Sequence, residues 1–332
     1  MGNSRCTTNP QATTAHGPVR GERRADGSLR FLGIPYARPP VGELRFAAPL
    51  PPEPWTEPLD ATAYGPTAQR RPITEITTVP EPTVPGEGVL NLNVFTPDTA
   101  PETLLPVLVW IQGGGYVAGS AASPWYDGSA FNRDGVVVVS VGYRLGIEGF
   151  LHLDGAPDNR GVLDWIAALE WVRDNIAGFG GDPDKVTIAG QSAGGGAVLT
   201  LLAALHLAEA QVAGGGKAYL YELAWQSPGK GGLLRACHGL DGPLLFGTYG
   251  AHLGPVAIGP EHEAEARRLT SQIRTAWTSF ATSGDPGWPA YDTEQRPTRI
   301  FDTTPSVSAY PEETSRRLWQ AHTFEAMPLL TA

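Results

Sequence analysis

The residues best placed to do chemistry lie in the stretch 186–195, VTIAGQSAGG. Three β-formers run into Gly190-Gln191-Ser192-Ala193-Gly194, and a helix-compatible apolar run follows. A G-x-S-x-G string in a strand–turn–helix setting lifts a serine hydroxyl out of a sheet on a sharp turn, because the glycines put no Cβ in the way. The hydroxyl then sits at a helix N-terminus, where amide donors favour developing negative charge. The expected chemistry is nucleophilic attack by Ser192 on an electrophilic carbonyl. A second turn lies upstream in 107–119, VLVWIQGGGYVAG, where an apolar run ends in Gly113, Gly114 and Gly115. Such a turn aims main-chain N–H groups at an oxyanion, together with the N–H of the residue after the nucleophile. Gly114, Gly115 and Ala193 are therefore the candidate donors.

The elements that must hold these turns are legible in outline. Residues 107–111 and 136–141 are near-continuous β-branched or apolar runs, as expected of strands buried on both faces. Residues 120–134 read as a loop or short helix. Residues 161–177 carry apolar side chains at helical spacing (Val162, Ile166, Leu169, Val172, Ile176), and Phe179-Gly-Gly-Asp-Pro183 closes that helix. Residues 186–188 then form a central strand, and the strand–helix–strand order calls for parallel pairing. Residues 1–100 read as short strands and turns ending in a strand at 90–95. Beyond the elbow the pattern predicts a helix over 196–213 stopped by three glycines, a strand over 218–225, and a helix over 262–283 with acidic residues at its start. A short helix at 312–325 ends a proline-punctuated tail.

These motifs, taken together, resemble the type-B carboxylesterases, the family that includes bacterial carboxylesterases and the cholinesterases. The resemblance is carried by residues 31–46 (FLGIPYARPPVGELRF), 90–97 (LNLNVFTP), 142–146 (GYRLG), 175–183 (NIAGFGGDP), the elbow, 236–247 (ACHGLDGPLLFG), and 276–286 (AWTSFATSGDP) leading to Trp288-Pro289. It implies an α/β-hydrolase fold: a mostly parallel central sheet with helices on both faces. It implies one domain over 1–332, with a strand- and loop-rich part (1–100), a core bearing the nucleophile (101–216) and a part bearing a histidine (217–332). Many members carry a disulfide whose matching positions are Ala68 and Val89 here. Both partners are gone together, as in a reduced compartment. A Cys6–Cys237 bridge between the chain's two cysteines stays open.

In this fold the triad runs Ser, then Asp or Glu, then His. His238 follows the strand at 218–225 after a loop and is the expected base. His152, His206, His252, His262 and His322 lack a motif, and His16 is N-terminal. They show no metal-ligand spacing, so neither a metal nor another cofactor is expected. The acid is missing. Between Ser192 and His238 the acidic residues are Glu209, on a helical stretch, and Glu222, within a strand, and neither occupies a strand-end loop. Asp241 falls after the histidine. The interval is also too short for the two strands and several helices that family members place there. If two strands are lost, the last strand must dock beside the nucleophile strand or leave a gap. Loss of the acid alone costs roughly 10⁴-fold in kcat, about 5.5 kcal/mol of transition-state stabilisation. Three smaller departures are Gln112, where the family often has His, Gln191, where it often has Glu, and Gly142, where it often has Asn. Gln112 can still hydrogen-bond, and Gly142 is expected to loosen its turn.

Composition narrows the partners. The 332 residues carry a net charge of −10, with 41% hydrophobic and 17% charged side chains, 41 glycines and 31 prolines. That describes a loop-rich globular chain. The negative charge argues against nucleic acid and anionic membranes. No apolar run is long enough to span a bilayer, and MGNSRCTTNP lacks the apolar core of a signal peptide. The expectation is a cytoplasmic serine carboxylesterase acting on a small-molecule ester. Tyr116, Trp125 and Phe150 are candidate pocket residues that equally suit a core. The alternative is an inactive, truncated or binding-type relative.

Overall fold

A computed structural model describes residues 9–68, 79–202, 216–235, 237, 239–250 and 253–311. His238, His206, His252, His322, Glu209, Cys6, the end of the 196–213 helix and the 312–325 helix lie outside the described residues.

The main sheet has six strands in the order β3-β4-β6-β8-β7-β9. These are β3 (Glu22–Arg23), β4 (Leu29–Pro35), β6 (Asn91–Thr96), β7 (Leu105–Ile111), β8 (Val137–Val141) and β9 (Gly181–Gly190). β1 (Gln11–Thr14), β2 (Gly17–Arg20) and β5 (Leu59–Asp60) make a small sheet of their own. The main sheet is mixed rather than mostly parallel. β7 pairs in parallel with β8 and β9, while β3–β4, β4–β6 and β6–β8 are antiparallel.

The apolar runs in β7 and β8 reflect burial on both faces, because successive side chains alternate sides. Leu108, Trp110 and Val138 enter one core with Phe131, Phe246 and Leu269. Val107, Val109, Val137 and Val139 enter the other with Trp171, Val172 and Phe179. The region expected to be a loop or short helix contains one turn of α-helix, α1 (Ser129–Asn132). A further short helix, α2 (Gly146–Phe150), precedes the long α3 (Arg160–Asn175).

In α3 the buried face is rotated from the expected one. Trp165, Ala168, Trp171 and Val172 are buried, while Ile166 is exposed. Two causes set the phase. The tryptophans offer more apolar area than Ile166, and the helix must also deliver Asp164 to Arg144. That ion pair is completely buried: Arg144 Nη2 lies 2.6 Å from Asp164 Oδ1, and Arg144 Nε and its backbone N–H both donate to Oδ2. Burial pushes the Asp164 carboxyl up, and the hydrogen bonds and charge of Arg144 oppose that shift.

After the elbow, α4 (Ala193–Leu202) begins at once. The remaining elements include β10 (Leu220–Leu223), α5 (Asp241–Phe246), α6 (Leu253–Ala257), α7 (Glu263–Ser283), β11 (Thr298–Phe301) and β12 (Ser306–Ser308). β10 does not dock on β9. It pairs in parallel with β11, which pairs antiparallel with β12. Of the two outcomes open to a shortened sheet, the gap is the one realised. β9, expected as a central strand, is the sheet's edge among the described residues. Trp225, just past β10, donates its indole N–H to Glu265 Oε1 at 2.6 Å and so ties the second sheet to the first turn of α7.

Candidate active site

The elbow is built as its sequence requires. Ser192 is exposed and has φ +57°, the left-handed region that a serine occupies only under constraint. The constraint comes from close packing of main chain on both sides. A Cβ on Gly194 would lie 2.0 Å from the Ile111 carbonyl oxygen, and one on Gly190 would lie 2.3 Å from the Gly194 carbonyl carbon. Only glycine lets α4 start so near the end of β7. Gly194 donates its N–H to the Gln191 carbonyl, and Gly196 donates to the Ser192 carbonyl, closing the turn.

The glycine loop lies against this turn. A Cβ on Gly113 would stand 3.1 Å from Ser192 Cβ and 2.5 Å from the Gln191 carbonyl oxygen. Gly114 and Gly115 both have positive φ, at +116° and +61°. No hydrogen bond among the described residues uses the N–H of Gly114, Gly115 or Ala193. Among the described residues these three main-chain donors of the glycine loop and the elbow have no acceptor.

Two tyrosines not singled out from the sequence hold main chain nearby: Tyr143 pins the residue that opens the glycine loop, and Tyr36 pins the turn after β8. Tyr143 donates its hydroxyl to the Gln112 carbonyl at 3.0 Å, and Tyr36 donates to the Gly142 carbonyl at 2.7 Å. Both rings are buried, and desolvation drives both phenols well above their ordinary range. The signal was present in the sequence as the tyrosines of 31–46 and 142–146, but their targets are carbonyls far away in the chain. The turn at Gly142 is therefore not loosened. Besides Tyr36, its own N–H donates to the Asn91 carbonyl at 2.9 Å. Gln112 is buried and its Oε1 has no hydrogen-bond partner among the described residues, so the expected side-chain bond is not formed by that atom.

The three candidate pocket aromatics separate. Tyr116 (φ +63°) and Phe150 are partly buried, with ring centroids 5.1 Å apart, and both rest on Trp165. The Tyr116 hydroxyl would be 2.6 Å from a Cβ on Gly196, which puts the phenol beside the first turn of α4. Phe150 is held through α2 by Arg160, a fully buried guanidinium that donates to the carbonyls of Ile147, Glu148, Leu151 and Pro157. Trp125 is a core residue. It is buried against Gly242, whose Cβ position would lie 2.7 Å from its ring.

Neither described candidate acid has the form of a triad carboxylate. Glu222 lies mid-strand in β10, paired with Ile300. Asp241 begins α5. With Glu81, it helps hold the Tyr126 phenol above its ordinary value, where burial is the main cause. A Cβ on Gly239 would be 3.9 Å from Gln191 Nε2, which puts Gly239 beside the elbow.

The strand order and the elbow define the class, and comparison with known proteins agrees. The profile of the Carboxylesterase family matches residues 8–212. Para-nitrobenzyl esterase of Bacillus subtilis (strain 168) is 48% identical over 201 residues, covering 59% of this chain and 41% of that protein. Carboxylesterase 1E of Mus musculus is 44% identical over 210 residues, covering 58% and 37%. Among solved structures, a thermophilic para-nitrobenzyl esterase superposes with a TM-score of 0.81 at 26% identity, covering 93% of this chain and 99% of that one. A carboxylesterase of Geobacillus stearothermophilus gives 0.78 at 25%, with 93% and 100% covered. The chain belongs to the carboxylesterase family and has the α/β-hydrolase fold. Its sequence match spans about two-fifths of the length of these curated relatives. No helix among the described residues is long and apolar enough to cross a membrane.

Proposed function

We propose that the chain hydrolyses small carboxylic esters through an acyl-enzyme. Ser192 Oγ attacks the ester carbonyl carbon and gives its proton to His238. The oxyanion is held by the N–H groups of Gly114, Gly115 and Ala193. On collapse the proton passes from His238 to the departing alcohol, and a water molecule, deprotonated by the same imidazole, releases the acid and frees Ser192. The observation that carries this reading is an exposed serine at positive φ packed against Gly113 of a glycine loop, with the N–H groups of Gly114, Gly115 and Ala193 unused among the described residues. Further support comes from Gly239, chain neighbour of His238, lying near Gln191, chain neighbour of Ser192. Tyr116 and Phe150 form one wall of the ester pocket in this reading. The triad acid is unassigned, so turnover favours activated esters. Cytoplasmic placement belongs to the same reading and rests on the paired absence of cysteine at Ala68 and Val89.

The test is hydrolysis of p-nitrophenyl acetate by the full chain and by Ser192→Ala. The expected result is wild-type turnover above background that the variant loses, by up to about 10⁶-fold in kcat where nucleophile and base act as a unit. Equal rates end the proposal. The gap beside β9 favours a second reading, an inactive relative. Its signature is an organophosphate that labels Ser192 with no ester turnover.

A further inference from the structure

The gap left beside the nucleophile strand is walled. Residues 187–190 of β9 and the start of α4 form one side of a cavity of about 470 Å³, and β10 and α7 form the other. The far wall is aromatic and continuous. Ring centroids link Phe280 to Tyr219 at 6.0 Å, Tyr219 to Trp288 at 6.2 Å, and Trp277 to Tyr221 at 6.5 Å, with Phe301 joining Trp288 and Tyr221 from behind. Val198 and the backbone of Gly195 complete the α4 side. Among the described residues no acidic or basic side chain lines the space. The volume lies within the range of about 300–1,000 Å³ usual for small-molecule sites, and walls of this composition suit apolar ligands. Among the described residues β9 has no strand partner on that side, so its edge offers main-chain donors and acceptors there.

We propose that this cavity is a binding site for a neutral, planar aromatic small molecule of one or two fused rings, distinct from the Ser192 site. Stacked and edge-on aromatic contacts supply the affinity. A charged ligand would meet no counter-charge among the described residues and would lose its hydration. Two of the lining rings are open to such a guest, with Tyr221 46% and Phe280 39% exposed. The proposal does not depend on the chain being an esterase.

The experiment is fluorescence titration of the full chain with prodan, a neutral naphthalene ketone whose emission moves to the blue in apolar surroundings. The expected result is one saturable site per chain with blue-shifted emission. Ser192→Ala leaves the affinity unchanged, Phe280→Ala weakens it about tenfold, and Val198→Trp, which fills the cavity, removes it. Circular dichroism checks that each variant is folded. Phe280 is exposed enough for its variant to serve if Val198→Trp does not fold. Three results overturn the proposal: no saturable binding to wild type, unchanged affinity in Phe280→Ala, or loss of binding in Ser192→Ala. So does binding that weakens as protein concentration rises while a dimer forms, because a second copy would then be covering the β9 edge.

Discussion

The two flanks of β9 are built by different rules. On one side β7 and β8 sit in register beside β9, buried on both faces, with cores above and below and a sealed Arg144–Asp164 pair locking the loop after β8 to α3. On the other side β9 faces a cavity, and the next strand has left the sheet to pair with β11. The flank that carries the glycine loop is thus over-determined. The flank that follows the nucleophile in the chain keeps its aromatic side chains but not the strands that would cover them. The lesson is that an elbow needs only one intact side to take its shape. Its positive φ is imposed by Ile111 and Gly113, which belong to the complete flank.

The comparison breaks if the two flanks cost the same to damage. Asp164→Ala leaves a buried guanidinium without its counter-charge and is expected to lower the unfolding free energy by about 3–5 kcal/mol, read from urea titration. Phe179→Ala in the complete flank, at a fully buried ring, is expected to cost a similar ~3–5 kcal/mol. Phe280→Ala beside the cavity exposes little new surface and should cost less than about 1 kcal/mol. Equal losses for the two phenylalanines would mean the cavity is filled or closed.

A finer probe is Tyr143→Phe. It removes the hydroxyl that holds the Gln112 carbonyl and is expected to cost about 1 kcal/mol. If the glycine loop does bind the oxyanion, this variant lowers kcat with KM little changed. A change in KM alone would disconnect the loop from the chemistry.

The smallest effect is electrostatic and lies on the surface. His152 is raised above its ordinary value by its hydrogen bond to Asp158, at 2.8 Å, and by the charge of that residue. A raised histidine stabilises the fold fully below its unfolded pKa near 6.5 and loses that contribution as pH rises through the folded value. NMR titration should place His152 above 6.5 in the native chain and return it toward that value in Asp158→Asn. No change on that substitution would remove the pair from the account.

Much of the complete flank was legible from residue types. The runs that became β7 and β8, the glycines that bracket Ser192, and the acidic start of α7 are local signals, decided within a few residues by backbone sterics and alternation. The phase of α3 was not. Ile166 looked like core, but Asp164 had a partner elsewhere that turned the helix. Tyr36 and Tyr143 were visible as residues, though not as clamps. β11 and β12 went unread because four and three residues are too few to stand out, and their strand character comes from pairing with β10 and with each other.

What the residues alone determined was the pair of turns, since glycines that tolerate positive φ in one and glycines that allow close main-chain packing around a serine in the other leave the chain few ways to run. What tertiary structure decided was who stands beside β9. A strand's edge is satisfied by whichever segment packing brings to it, and hydrogen bonds between strands carry no mark in either sequence. The short interval after Ser192 permitted docking or a gap. The aromatic contacts of Tyr219 and Tyr221 with α7, Trp288 and Phe301 hold β10 on the far side of the cavity.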